Sequence, residues 1–177
     1  MPFATLVLTA TIAANASVAP AAKHTAAECA VWDREVSLSQ SFERRDKKAI
    51  ADHLFVTAVF SSDTSGAFYG ADEIVKALWV EYVDRPAVVR WRPVSVSIGK
   101  KSDHAIVTGI RVFEDKSNDA DAAARYMSWT FRHIWRLDPD SKQWKIEYDG
   151  AEGEIRSLGS TADLDAELAR APKTCPR

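Results

Sequence analysis

The sequence lacks a long apolar segment and has little imbalance of charge. Its longest uncharged apolar run, residues 3–14, is shorter than the roughly 20 residues with which a helix crosses a bilayer. The 23 basic and 25 acidic residues nearly cancel and are scattered along the chain, so the basic surface that binds a nucleic-acid backbone is not expected. We therefore expect no nucleic-acid partner and, once a leader is removed, no membrane association.

Short catalytic motifs are also missing. The sequence contains no G-x-S-x-G elbow, no phosphate-binding glycine loop, no G-x-G-x-x-G and no H-E-x-x-H, which are the local signatures of several hydrolases, nucleotide-binding proteins and zinc peptidases. The histidines at positions 24, 53, 104 and 133 fall on four different predicted elements, so no metal ligand set is visible. We expect neither a metal nor a cofactor.

Cysteine is scarce, and its two positions are far apart. Cys29 begins the first predicted helix and Cys175 is two residues from the end. In an oxidising compartment the two could form a disulfide that ties the tail to this helix. The alternative is a pair of unrelated thiols, since neither lies in a C-x-x-C or metal-ligand pattern.

The first 22 residues are typical of a secretory leader and a disordered start. The apolar run is followed by Ala14 and Ala16 around Asn15, an A-x-A cleavage pattern. No Lys or Arg precedes the run, and the alternative is an alanine-rich terminus of a cytosolic protein. We expect a periplasmic or secreted protein of one domain, because 177 residues with 46% hydrophobic content suit a single core.

Helical periodicity dominates the first half of the chain. Apolar residues at three- and four-residue steps predict a helix over residues 25–45. Asp46 is a suitable N-cap for a second helix over residues 47–54, and a third is predicted over residues 71–83. Between the last two, residues 56–61 predict a short strand and residues 63–70, which include a Ser-Gly pair, a loop.

The second half alternates with the period of strands. Strands are predicted over residues 88–98, 105–113, 125–137 and 143–148, with Pro93 indicating an edge position or a bulge in the first. Helices followed by long strands predict an α+β domain in which three N-terminal helices pack on one face of an antiparallel sheet. After Gly153 the tail is polar, with one short helix begun by Ser160.

Several segments in fixed order resemble the nuclear-transport-factor-2-like superfamily, also called SnoaL-like or ketosteroid-isomerase-like, of cystatin-like fold. The matching segments are Trp-Arg-Pro at 91–93, Asp-His-Ala-Ile-Val-Thr-Gly at 103–109, Trp-Arg at 135–136, Trp-Lys-Ile-Glu-Tyr-Asp-Gly at 144–150, and upstream Ala-Val-Phe at 58–60 and Gly-Ala-Asp-Glu-Ile at 70–74. The likeness is to an uncharacterised exported bacterial branch.

This resemblance implies a strongly curved sheet that forms a cone with a pocket for a small apolar molecule, often in a homodimer joined through the sheets. The domain would span residues 25–153, with residues 154–177 as a C-terminal tail that is tethered if Cys29 and Cys175 pair. The resemblance does not imply one activity, because this fold hosts enzymes, transport factors and assembly modules. The expected pocket-lining residues are Trp32, Phe60, Asp63, Tyr69, Trp91, Arg111, Trp129, Phe131 and Trp135.

One face of the strand at 125–137 is strongly aromatic. Side chains alternate across a strand, so Trp129, Phe131, His133 and Trp135 share a face. This face could line the cone around a flat apolar ligand, form an outward dimer interface, or belong to plain core packing. The alternation alone leaves the three interpretations open.

His133 and Asp149 are the candidates for acid or base chemistry. An imidazole titrates near neutral pH, and Asp149 at the end of the last strand could orient it or polarise a ligand. Plain alternatives are a core histidine bonded to backbone and a turn aspartate. Arg111 could meet an acidic ligand group or a carboxylate partner, or lie exposed at an edge.

The steroid-isomerase mechanism is not carried over. Such a site needs a carboxylate base after the first strand and a tyrosine on the first helix. The base position falls at about Ser62, one residue from Asp63, and the first helix contains no tyrosine, only Trp32 and Phe42 as aromatics. Three functions therefore compete: a ligand-binding domain without catalysis, an isomerase, cyclase or hydratase using His133 or Asp149, and a structural module that docks a partner.

Overall fold

The computed structural model describes residues 23–62, 66–78, 84–101, 103–118, 121 and 124–177. The expected leader, residues 1–22, and the expected pocket residue Asp63 lie outside these ranges. The described helices and strands follow in the order α1 (Ala26–Glu43), α2 (Lys47–Asp52), β1 (Leu54–Ser62), β2 (Gly66–Tyr69), α3 (Ala71–Leu78), β3 (Ala87–Ile98), β4 (His104–Asp115), β5 (Tyr126–Leu137), β6 (Trp144–Ser157) and α4 (Thr161–Ala169).

Local capping explains where the first two helices begin. The Thr25 side chain accepts from the backbone of Glu28, whose carboxylate in turn accepts from the Thr25 backbone, which forms a capping box before α1. The Asp46 side chain accepts from the Ala49 backbone and caps α2. The predicted helices are confirmed at these positions. The apolar stripe of α1 packs against β3.

The sheet is mixed, which corrects the expectation of an antiparallel one. Its six described strands lie in the order β2-β1-β6-β5-β4-β3, and the sheet is not closed. The ladders from β3 to β6 are antiparallel, whereas β1 pairs with β6 in parallel. Parallel neighbours need a long crossover connection, and between β1 and β6 the chain passes through β2, α3, β3, β4 and β5.

Two strands differ from their predicted extents. A four-residue strand lies where a loop was expected; Gly66 begins it and Gly70 directly follows it, both at positive φ. β6 continues to Ser157 rather than ending near Tyr148, so the boundary expected at residue 153 falls inside a strand. Pro93 does occupy an edge strand, next to a register shift in its pairing with β4.

The C-terminal segment packs onto the outer face of the sheet. Ser160 caps α4, and Leu164 and Leu168 are buried with Val112 of β4. From there the chain returns to α1, where Cys175 forms a disulfide with Cys29. The predicted pairing of Cys29 with Cys175 is thus present in the structure.

The inner face of the sheet carries the main core. Trp91 of β3, Phe131 and Trp135 of β5, and Ile146 of β6 are buried there together with Trp32 of α1. The aromatic face of β5 therefore points inward, under α1. Within the described ranges, no helix combines the length and apolar character needed to cross a membrane.

Candidate functional site

An apolar cavity lies between the inner face of the sheet and the three helices that precede β3. Its walls come from α1, α2, β1, α3, β3, β4 and β6, and are mostly aliphatic and aromatic. The volume inside it that is open to the centre of a water molecule is about 20 Å³. The lining residues are Leu38, Phe42, Ile50, Leu54, Ala58, Val59, Phe60, Ile74, Leu78, Val89, Trp91, Arg111, Ile146 and Asp149.

Two charged residues stand among these apolar walls. Arg111 of β4 is 6% exposed, and its Nη2 lies 3.3 Å from each carboxylate oxygen of Asp149 on β6. Three aromatic rings surround the guanidinium, with ring centroids 5.0 Å (Trp91), 5.3 Å (Phe131) and 6.0 Å (Trp129) from its carbon. The cavity thus has one polar wall, which is held by an ion pair and by cation–π contacts.

His133 lies behind this polar wall and is fully buried. Its Nε2 is 3.0 Å from Asp149 Oδ1 and 2.8 Å from Arg111 Nη2, whereas Nδ1 is 2.9 Å from Glu35 Oε2. The cross-strand register explains the first contact, because His133 and Asp149 are directly opposite in the β5–β6 ladder. The residues proposed from sequence, Arg111, His133 and Asp149, therefore meet in one cluster.

Glu35 completes the cluster and was missed by sequence reasoning. Its carboxylate is fully buried and accepts from Trp91 Nε1 at 2.5 Å, from Trp135 Nε1 at 2.7 Å and from His133 Nδ1. A signal was available, because position 35 falls four residues after Val31 and three before Leu38, on the apolar stripe of α1. A carboxylate on the buried stripe of a helix needs several donors, and the two indoles and the imidazole supply them.

The imidazole of His133 is assigned as protonated. Burial alone would lower its pKa, but the negative charges of Asp149 and Glu35 outweigh burial and raise the pKa to about 9. Burial raises the pKa of Asp149, but the positive charges of Arg111 and His133 outweigh it and hold that pKa well below its usual range. Carboxylates face both ring nitrogens, so both can donate.

One contact does not fit this assignment. A protonated Nε2 cannot accept from Arg111 Nη2, which also only donates, although the two atoms are 2.8 Å apart. A neutral ring would satisfy that contact and lose the bond to Asp149 Oδ1. We favour the protonated ring, because it balances the two buried carboxylates with two cations and Asp149 accepts from both.

The protonation of His133 predicts a pH-dependent stability. A folded-state pKa of about 9 against 6.5 in the unfolded chain stabilises the fold fully below pH 6.5 and progressively less as pH rises to about 9. We expect the difference in unfolding free energy between wild type and His133→Asn to shrink by roughly 3 kcal/mol across that window. Urea unfolding at half-unit pH steps measures this difference.

The matched control for the pH experiment is His104→Asn. The His104 side chain is 44% exposed and lies outside the buried cluster, so introducing this change into both proteins should leave the difference between wild type and His133→Asn unaltered. The opposite result is a difference in unfolding free energy between wild type and His133→Asn that does not change between pH 6.5 and 9. It would show that the ring is neutral in the folded protein, with Nε2 accepting from Arg111.

The other residues expected at the pocket occupy different environments. Phe60 and Trp91 line the cavity together with Arg111. Trp32, Phe131 and Trp135 are fully buried and Trp129 is 9% exposed, yet none of the four is among the lining residues, because packing against neighbouring side chains occupies their surfaces. Tyr69 ends β2 with 65% of its surface exposed, so its ring faces away from the cavity walls.

His53 is a buried residue that follows α2. Its Nδ1 lies 2.6 Å from the Ala49 carbonyl oxygen, and burial lowers its pKa, so the ring is neutral and Nδ1 donates. Among the described residues, His, Cys, Asp and Glu side chains do not gather in any group of three or more suited to a metal ion.

Comparison with known proteins identifies the fold. No family model matches the chain, and no curated protein matches its sequence. Solved structures do match: a ketosteroid isomerase-like protein of Erwinia carotovora atroseptica aligns at 14% identity and TM-score 0.57, covering 72% of this chain and 98% of that one. A protein of unknown function from Pseudomonas putida, described as nuclear-transport-factor-2-like, aligns at 12% identity and TM-score 0.60, covering 78% and 98%.

A third match has an enzymatic description. A putative dehydratase of the nuclear-transport-factor-2-like family from Streptomyces avermitilis aligns at 13% identity and TM-score 0.55, covering 69% of this chain and 91% of that one. At these identities the likeness concerns the fold. The chain has the nuclear-transport-factor-2-like fold, also described as cystatin-like, which the sequence resemblance had implied.

Proposed function

We propose that this domain of nuclear-transport-factor-2-like fold binds a small, mainly apolar molecule in the cavity between its helices and its sheet. The observation that carries the proposal is an apolar cavity with one polar wall, formed by Arg111 and Asp149. Small-molecule sites commonly combine mostly apolar walls with a few fixed polar groups that orient the ligand.

The dimensions of the cavity limit how a ligand enters. The volume open to the centre of a water, about 20 Å³, is far below the roughly 300 to 1,000 Å³ of usual ligand sites. The 20 Å³ open to the centre of a water is room for little more than one water. Binding therefore requires flexible wall side chains, such as Leu38 and Leu78, to change rotamer.

The charged cluster favours binding over acid and base catalysis. An efficient general base has a pKa near the working pH. The pKa of Asp149 is held well below that range, and His133, with its pKa of about 9, is not among the cavity walls. In this arrangement the cluster is better suited to fixing the position of Arg111 than to moving protons.

An isomerase, cyclase or hydratase activity remains the second candidate. It is favoured by the direct contact between His133 and Asp149, since the Asp149 carboxylate is also a cavity wall. A third function, docking a partner through an outward aromatic surface, has less support, because Phe131, His133 and Trp135 are buried on the inner face of the sheet.

We also propose a periplasmic or secreted location, which the disulfide between Cys29 and Cys175 supports, because such bonds persist in oxidising compartments. A homodimer joined through the sheet stays a prediction. α4 covers the Val112 region of the outer face, while Val94 and Ile106 are each 43% exposed on that face.

Filling the cavity should weaken the binding of an apolar probe at least tenfold. Ala58 is fully buried on β1 and lines the cavity, so Ala58→Leu places three further carbons inside it. We expect the neutral fluorophore N-phenyl-1-naphthylamine to bind wild type with blue-shifted emission and to bind Ala58→Leu at least tenfold more weakly, roughly the effect of losing one well-packed apolar contact surface. Fluorescence titration measures both affinities.

Thr57→Leu is the matched control, because the same side chain is introduced one residue away at an exposed position. It should bind the probe as wild type does. Ala58→Val provides a smaller step if the leucine variant unfolds. Equal probe affinity in wild type and in a folded Ala58 variant would show that the probe binds elsewhere and would remove the cavity as the site.

A further inference from the structure

We propose that the cavity selects a neutral molecule with one hydrogen-bond acceptor oxygen, such as a carbonyl group, and that Nε–H of Arg111 donates to this oxygen. The inference rests on the proposed binding function and adds the chemical class of the ligand. Arg111 is then the residue that determines polar specificity, and the aliphatic walls accommodate the remainder of the molecule.

The donor is a buried atom without a partner. Arg111 lines the cavity at 6% exposure, and its Nε has no hydrogen-bond partner among the described residues. A buried N–H that is left unpaired costs stability, so a ligand oxygen that accepts from it recovers that cost on binding. The structure thus contains an unmet donor on a residue that lines this cavity.

The guanidinium cannot easily turn to find another partner. Its Nη2 is bound to Asp149, and the rings of Trp91, Trp129 and Phe131 hold it on several sides. Asp149 is fixed in turn by His133, and His133 by Glu35. A donor with so little freedom loses little entropy when it binds a ligand, which favours selectivity.

The charge count around the donor argues against an anionic ligand. Arg111 is paired with Asp149, and His133 with Glu35. With His133 protonated the charges of these four groups sum to zero, and with His133 neutral their charges sum to minus one. Because the cluster has no net positive charge in either state, a carboxylate in the cavity would be a buried charge without compensation, whereas a carbonyl oxygen requires only the donor.

Three probes of nearly the same shape separate acceptor from charge. Acetophenone carries a carbonyl oxygen, α-methylstyrene replaces that oxygen with CH₂, and benzoate carries a full negative charge. We expect wild type to bind acetophenone about tenfold more tightly than α-methylstyrene, the effect of one hydrogen bond to a charged donor. Benzoate should bind more weakly than acetophenone. Isothermal titration calorimetry or ligand-detected NMR at pH 7 measures the three affinities.

Substitution of the donor should remove the preference. In Arg111→Lys the positive charge is retained but the Nε–H is lost, and the acetophenone to α-methylstyrene ratio should fall to near one. Arg132→Lys is the matched control, since Arg132 is exposed on the outer face of β5 and pairs with Glu152. It should keep the wild-type ratio. Should Arg111→Lys not fold, the wild-type ratio alone still decides the proposal.

The outcomes distinguish this inference from the function on which it rests. If all three probes bind wild type with equal affinity, the cavity is a binding site and the acceptor selectivity is wrong. If benzoate binds most tightly, the charge argument is wrong. If none binds, and the larger set of 2-acetonaphthone, 2-isopropenylnaphthalene and 2-naphthoate also fails to bind, the binding function itself is refuted and the inference with it.

Discussion

Glu35→Ala is expected to lower the unfolding free energy by about 3 to 5 kcal/mol, the range found when one partner of a buried ion pair is removed. The carboxylate is fully buried and accepts from the indoles of Trp91 and Trp135 and from the ring of His133. Its loss leaves all three buried donors without an acceptor, and each then costs its desolvation free energy. Urea unfolding monitored by tryptophan fluorescence measures the change.

Glu43→Ala is the control for this effect, because it removes the same side chain from an exposed position at the end of α1. Its cost should stay within about 0.5 kcal/mol. Glu35→Gln keeps one acceptor oxygen in the same shape and should fall between wild type and the alanine variant. A Glu35→Ala protein within 1 kcal/mol of wild type at unchanged m-value would mean that the carboxylate does not organise the core.

The sequence predicted α1 as an amphipathic helix but did not predict that its Glu35 carboxylate is buried. The spacing of Val31, Leu38 and Phe42 predicted the helix and its apolar stripe, since this is a local pattern, whereas the capping box at Thr25 was not predicted. Glu35 lies on that same stripe, but a single acidic residue on a helix is usually solvated. Its partners on β3 and β5 are 56 and 100 residues away, and only the tertiary fold brings them together.

For the sheet, too, the sequence predicted the features that have a local signal and missed those that depend on distant residues. Alternation predicted strands at the positions of β3, β4 and β5, and Pro93 indicated the edge. β2 was missed because Gly66 and Gly70 are turn residues by composition, and their positive φ angles bound a strand of four residues. The parallel pairing of β1 with β6 has no sequence signal, because adjacency of distant strands is decided by packing.

The candidate site was predictable as a set of residue types and not as an arrangement. Alternation placed His133 on the aromatic face of β5, and Asp149 was proposed as a group that could orient it. Their direct opposition depends on a register shift between Ile134 and Trp135 in the ladder with β6. Such a shift cannot be read from periodicity, since one residue of slip reverses the face that a side chain occupies.

The second large effect is expected from the disulfide. Cys29 and Cys175 are 146 residues apart in sequence, and a cross-link over such a loop removes about 5 kcal/mol of unfolded-state entropy in the chain-entropy description. We expect Cys29→Ala/Cys175→Ala to lose about 3 to 5 kcal/mol of unfolding free energy, near the upper range for native disulfides. Urea unfolding of wild type with and without reductant gives an independent measure, since reduction should reproduce most of the loss.

The double variant itself is the control, because reductant has no bond to break in it and should not change its stability.

The disulfide also fixes the position of the C-terminal segment in the folded protein, an effect that the unfolded-state entropy does not include. Ala171 is buried, and the His24 backbone donates to the Pro176 carbonyl oxygen, so the tail is fixed against the start of α1. Hydrogen exchange of α4 should therefore accelerate on reduction by more than the exchange of the β4 and β5 core amides. If reduction costs under 1 kcal/mol and leaves α4 protected, the packing of Leu164 and Leu168 against Val112 holds the segment without the cross-link.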